Sequence, residues 1–289
     1  MSLVVIPNVS EGRRPEIIQG LQASIEQSGA KVLDRHSDEL HNRTVFTVSA
    51  NPPTLIDAME SLAQAAASAI NLETHHGRHP RLGALDVCPF VPVEAGLQEA
   101  IDLAREAGTR IGALGIPVYL YGAASASALI GLPDLRRGGL DELIQRAKKG
   151  DPPDMGPQII EPRTGVVCVG ARPPLIAFNV WLEGSVLAAR SIASQVRDAD
   201  KGLPGVRALG LDMGEGQAQV SMNLTDPGTT SIEDAFAAVE DRAGPLGVRV
   251  RATEIVGLPP ERFMPPSDAR VTRLLMQPGH SLESRLQKL

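Results

Sequence analysis

Five of the six histidines fall within the first eighty residues, and imidazole is the side chain whose reference pKa, about 6.5, suits proton transfer near neutral pH. His36, Asp38, His41, Asn42 and Arg43 sit in the run HisSerAspGluLeuHisAsnArg; His75, His76 and His79 sit in ThrHisHisGlyArgHisProArg. If a sheet brings both runs to one edge, imidazoles, a carboxylate and guanidinium groups meet there. Three chemistries then compete. The first is none at all, with solvated loop histidines. The second is metal ligation, since His75 and His79 have i, i+4 spacing, although Gly77 within the run and Pro80 after it weaken the helix this requires. The third is general base catalysis. The residues alone leave all three open.

Two loops are built for backbone contact with a ligand. ProAsnValSerGluGly (7–12) leaves the first strand and enters the first helix, where Asn8 and Ser10 are placed to cap. The stretch 155–165 is glycine-bounded and proline-rich, either a connector or a binding wall. Arg43, Arg81, Arg163 and Arg172 carry the planar fork that matches a carboxylate, although any one of them alone reads as a surface arginine.

Several function classes lack support. There is no GxGxxG after a strand, no Walker-type GxxxxGK[ST] and no GxSxG elbow. Lys plus Arg total 28 against 34 Asp plus Glu, a net charge of −6, so no basic excess points to nucleic acid. No apolar run approaches the roughly 20 residues that span a bilayer. The start MSLVVIPNVSEGRR lacks the basic opening and long apolar core of a secretory leader, so a cytoplasmic protein is expected. Cys88 and Cys168 sit in apolar runs and are expected buried and reduced; with no CxxC, a structural zinc site is not expected.

The elements that must position these residues read as one plan used twice. LVVIP (3–7), a helix from Pro15, KVLDRH (31–36), TVFTVSA (44–50), a helix from Pro52 to about Ile70 and ALDVCPFVPV (84–93) give β-α-β-β-α-β. LIAFNVWL (175–182), a helix over 185–196, VRALGLDM (206–213), AQVSMNLT (218–225), a helix over 231–242 and VRVRATEIV (248–256) repeat it. AsnProProThr (51–54) and AspProGlyThr (226–229) precede the second helix of each copy. Residues 94–165 are extra material: a helix, the strand PVYLY (117–121), a helix near 140–149 and the proline-rich loop. The expected fold is α+β, two ferredoxin-like βαββαβ subdomains in tandem with a substrate groove between them, each sheet carrying its helices on one face. The division is expected at ArgProPro (172–174), giving domains 1–174 and 175–289.

PNVSEGR (7–13), HNRTVFTV (41–48), HPRLGALDVCPFVPV (79–93), PVYLYG (117–122), LPDLRRG (132–138), the GP…TG…GAR segment (156–172), LIAFNVWL (175–182) and AQVSMNL (218–224) run in the order of the glutamate formimidoyltransferase family, the transferase half of formimidoyltransferase-cyclodeaminase, which this chain resembles. The resemblance implies transfer of a formimidoyl group from N-formimidoyl-L-glutamate to tetrahydrofolate, a co-substrate, in one-carbon and histidine metabolism. It assigns the catalytic base to His79, which opens HisProArg. It assigns the folate-contacting loop to Gly156, Pro157, Gln158, Ile159, Ile160, Glu161, Pro162, Arg163, Thr164 and Gly165. Asn8, Asn42, Arg43 and Arg81 are the substrate-binding candidates. No metal, nucleic acid or membrane partner is expected, and a homodimer is. The folate loop carries no aromatic residue to stack on a pterin. A related activity on 5-formyltetrahydrofolate, or folate binding without turnover, stands as the alternative.

Overall fold

Runs of β-branched residues become strands and alanine-rich amphipathic runs become helices, largely where the periodicity puts them. The computed structural model describes residues 3–127 and 130–287; Met1 and Leu289, the outer limits of the two expected domains, lie outside the described residues. By internal contacts the chain divides into two units, Met1–Pro173 and Pro174–Leu289.

The first unit opens with β1 (Leu3–Val5), β2 (Asn8–Val9), α1 (Pro15–Gln27), β3 (Lys31–Asp38), β4 (Arg43–Ser49), α2 (Pro52–Ala69) and β5 (Leu85–Pro92). β1 and β2 both lie antiparallel between β4 and β5, and β3 pairs with the outer edge of β4. The single strand expected at 3–7 is therefore broken. Pro7 has no N–H to donate, and the ladder resumes at Asn8 while the Pro7 carbonyl still accepts from Phe46 N at 3.0 Å.

α3 (Leu97–Ala113), β6 (Val118–Gly122), α4 (Leu132–Leu135) and α5 (Gly139–Lys148) follow, and then β7 (Val167–Ala171). β7 lies parallel to both β5 and β6, at the centre of this end of the sheet. It is a strand the expected plan lacks. Its five residues are all buried, so it shows the continuous apolar run of a strand covered on both faces, with no alternation to mark it. α1, α2 and α3 cover one face, over a core holding Phe46, Phe90, Leu21, Leu55 and Met59. The other face is covered at its parallel end: Tyr119, Tyr121, Val87 and Cys168 pack with Leu135, Leu143 and Ile160. Helices thus lie on both faces of this unit, where one face was expected. Cys88 and Cys168 fall in these two separate cores, and burial pushes both thiols well above their usual pKa.

The second unit holds β8 (Ile176–Glu183), α6 (Val186–Val196), β9 (Val206–Gly214), β10 (Gln217–Leu224), α7 (Ile232–Ala243) and β11 (Arg249–Val256). Its four strands are antiparallel in the order β11-β8-β10-β9. The two turns read as repeats do different work. Asn51 Oδ1 caps α2 by accepting from Thr54 N at 3.1 Å, whereas Asp226 closes a local turn with Thr229 and α7 is capped by Ser231.

The end of the loop at 156–165 is fixed to the rest of the first unit by close backbone approach. Val166 N donates to Leu82 O at 2.9 Å, Ala84 N to Thr164 O at 2.9 Å, and Gly83 bridges Gly165. A Cβ on Gly83 would lie 1.8 Å from Val166 O. Gly83→Ala is therefore expected to destabilise the protein by about 2 kcal/mol or more, the upper range for overpacking. Gly20→Ala, mid-α1 with nothing within 4 Å, is expected to stabilise it slightly. Urea unfolding of both variants checks this.

Candidate active site

Three loops of the first unit converge: β2 to α1, β3 to β4, and the segment 75–84 before β5. Asn42, with φ 49°, braces all three: its Oδ1 accepts from Gly12 N at 2.9 Å and its Nδ2 donates to His76 O at 3.1 Å. Arg78 N donates to Leu40 O at 3.1 Å. Gly77 is required here, because a Cβ would meet His41 O at 2.2 Å.

Residues 75–84 are not helical, so His75 and His79 lack the shared helix face that i, i+4 ligation needs. Among the described residues no group of three or more His, Cys, Asp or Glu is placed to hold a metal ion.

His79 has both ring nitrogens engaged, and the two contacts select one tautomer. Its Nδ1 lies 2.7 Å from the Pro80 carbonyl, which can only accept, so Nδ1 carries the proton. Its Nε2 lies 2.8 Å from Arg43 Nη1, which can only donate, so Nε2 offers its lone pair. The His41 ring stands edge-on, 6.0 Å from that of His79. Desolvation first, then the charges of Arg43 and Arg136 and the neighbouring His41, hold the His79 imidazole well below its usual pKa. That shift favours the neutral ring, the state a proton acceptor needs.

The remaining arginines are mostly structural. Arg81 Nη1 donates to His75 Nδ1 at 2.6 Å, and its Nη2 donates to the carbonyls of Gly77 and His79, each at 2.6 Å. It is the strut of the histidine loop and has little left for a carboxylate. Arg163 donates to Ala67 O and Ser68 O at 3.3 Å, tying the 156–165 loop to the end of α2. Arg172 donates to Pro173 O at 3.0 Å. Asn8 donates to Ile6 O at 3.0 Å and Ser10 Oγ to Gly83 O at 2.7 Å, so neither caps α1. The N-cap position, Arg14, carries no side-chain cap; Glu11, 1% exposed, instead shapes the chain leading into the helix, its Oε1 accepting from Arg13 N and Arg14 N. Burial opposes its ionisation, but those bonds and the Arg14 guanidinium outweigh it and leave the carboxyl below the usual range.

Sequence reasoning missed two further features. Asp86, 2% exposed, accepts from Leu82 N at 2.6 Å and pairs with Arg136, whose charge reaches His79. The signal was a carboxylate inside the apolar run ALDVCPF. Within the 156–165 loop, Gly156–Ile159 and Glu161–Arg163 are exposed while Ile160 is buried in the core as an anchor. A cavity of about 240 Å³ is lined by Glu11, Arg13, Arg14, Asn42, Asn71, Thr74, His75 and His76 among others. His79 is not part of its wall.

Residues 2–172 match the model of the formiminotransferase domain, N-terminal subdomain, and residues 177–269 match that of the formiminotransferase domain. The chain belongs to the formiminotransferase family. It is 36% identical to a glutamate formimidoyltransferase of Streptococcus pyogenes serotype M1, over 90% of this chain and 89% of that one. It is 38% identical to a glutamate formimidoyltransferase of Thermoplasma acidophilum, over 91% and 90%. With the formimidoyltransferase-cyclodeaminase of Sus scrofa it shares 37%, covering 88% of this formiminotransferase chain and 49% of that protein, so it spans about half the length of that relative.

His75 also resists protonation, its pKa lowered to about 4 by burial and then by Arg81. In the unfolded chain the same group titrates near 6.5. Between those values the unfolded state binds more protons, so the contribution to stability is complete above about 6.5 and is lost as pH falls towards 4. The urea midpoint is expected to drop across that window. His75→Gln, which keeps an acceptor for Arg81, is expected to lessen the drop; an equal drop in the variant would refute the assignment.

Proposed function

We propose that the protein transfers the formimidoyl group of N-formimidoyl-L-glutamate to tetrahydrofolate, with His79 as general base and no metal. The observation that carries this is the state of His79: neutral, in a fixed tautomer, its acceptor nitrogen towards Arg43. Family membership supplies the reaction; this geometry supports His79 as the base. No helix among the described residues is long and apolar enough to cross a membrane.

The chemistry needs little else. N5 of tetrahydrofolate adds to the formimidoyl carbon, and His79 Nε2 takes the proton that N5 loses as the tetrahedral carbon forms. The imidazolium then gives that proton to the glutamate nitrogen, the C–N bond to glutamate breaks, and 5-formimidoyltetrahydrofolate and glutamate result. One imidazole serves as base and then acid, a role worth roughly 10²–10⁴ in rate, and orientation supplies the rest.

Arg43 is the substrate-binding arginine in this reading, while Arg81, Asn42 and Asn8 hold the frame around it. The folate wall is the exposed part of 156–165, with Ile160 as its anchor. Its support is the backbone pairing of 164–166 with 82–84, a segment that begins three residues after His79 in the chain. Each unit reads as a ferredoxin-like βαββαβ sheet, the first extended by β7 and β6. The strand orders β5-β1/β2-β4-β3 and β11-β8-β10-β9 support that reading.

His79→Ala is expected to lower kcat by about 100-fold or more while leaving tetrahydrofolate affinity near wild type, because the imidazole acts mainly in the transition state. A formimidoylglutamate-dependent spectroscopic assay and calorimetry measure the two. Full activity in the variant would overturn the mechanism. Wild-type protein that binds folate but turns over only 5-formyltetrahydrofolate, or nothing, would overturn the donor assignment.

A further inference from the structure

His79 Nε2 is the nitrogen that must accept a proton, yet in the ligand-free protein its lone pair already accepts a hydrogen bond from Arg43 Nη1 at 2.8 Å. The base is capped. Nδ1 offers no alternative, since it holds its proton against the Pro80 carbonyl at 2.7 Å. Turnover therefore requires Arg43 to leave Nε2.

We infer that Arg43 is a substrate-operated gate on the base, drawn off His79 by a carboxylate of the donor. The inference rests on the reading of His79 as base and adds what switches it on. A guanidinium facing a carboxylate gains an ion pair and can make two parallel N–H···O bonds, where the neutral imidazole offers one lone pair and no charge, so a carboxylate beside Arg43 outcompetes the imidazole. Formimidoylglutamate brings two. A single movement then frees the lone pair and neutralises the nearest positive charge. The groups left facing His79 are His41, from the turn between β3 and β4, and Arg136, after α4, which is already paired with Asp86. Arg43 starts β4, and its backbone pairs with Asp38 across to β3, so the strand fixes its position and the long side chain alone swings. Arg43 is thus a positioning residue with a second role, because the base becomes strong only when an anionic donor is present. An amidine without a carboxylate would meet a capped, weakly basic His79.

The test is ¹⁵N NMR of histidine-labelled protein, with His79→Ala assigning the resonance and L-glutamate, the product and carrier of both carboxylates, as the probe. In the wild type, glutamate is expected to shift His79 Nε2 in the direction of a freed lone pair and to raise its protonation midpoint by about one pH unit or more. In Arg43→Gln the midpoint is expected to be raised already without ligand, and glutamate to add little. A wild-type Nε2 resonance and midpoint that saturating glutamate leaves unchanged would overturn the gate, as would an Arg43→Gln midpoint equal to that of the wild type. If Arg43→Gln fails to fold, the wild-type titration decides alone. Failure of the base itself shows elsewhere, as undiminished turnover in His79→Ala, so the two claims are separable.

Discussion

A partly buried imidazole surrounded by positive groups holds a second proton poorly, and the site follows from that constraint. Desolvation, Arg43, Arg136 and His41 act in the same direction on His79. The carbonyl of Pro80 fixes which nitrogen carries the single proton, so the other nitrogen is the acceptor by necessity. The same surroundings attract anions. In the proposed mechanism a donor with carboxylates would be drawn to Arg43, the arginine bonded to His79, which would make substrate binding and the basicity of that imidazole one electrostatic event.

The frame that holds this arrangement is made almost wholly of hydrogen bonds from side chains to backbone. Asn42 ties three loops, Arg81 ties the histidine loop to itself, Glu11 organises the entry to α1, and Asp86 joins Leu82 N to Arg136. Such bonds fix the loops without requiring them to be helical or paired, which is how a segment with Gly77 and Pro80 holds one conformation. They also explain why an arginine count overstates the carboxylate sites. Of Arg43, Arg81, Arg163 and Arg172, the last three donate to backbone carbonyls.

Strands and helices with a clear period were legible in the sequence to within a residue or two, as with α1 from Pro15 and β4 around 43–49. β7 was not, because burial on both faces erases alternation. Nor was the break at Pro7, where a missing N–H rather than hydrophobicity decides. In the site, residue types were legible but commitments were not. Arg81 and Arg43 look alike in sequence, and only geometry shows one spent on a loop and the other on His79. Asp86 and Glu11 are buried carboxylates whose partners are set by the folded backbone, so no local pattern reveals them. The choice between base, metal ligand and solvated histidine rested on resemblance, and the tautomer of His79 became visible only when Pro80 and Arg43 were seen on its two sides.

The pH dependence of kcat/KM tests the central claim most directly, because it reports the ionisation of the free protein. If desolvation and the surrounding charges hold His79 neutral, the acid limb lies well below the imidazole reference of about 6.5 and is displaced towards it in Arg43→Gln. A wild-type limb at or above 6.5 would contradict the account.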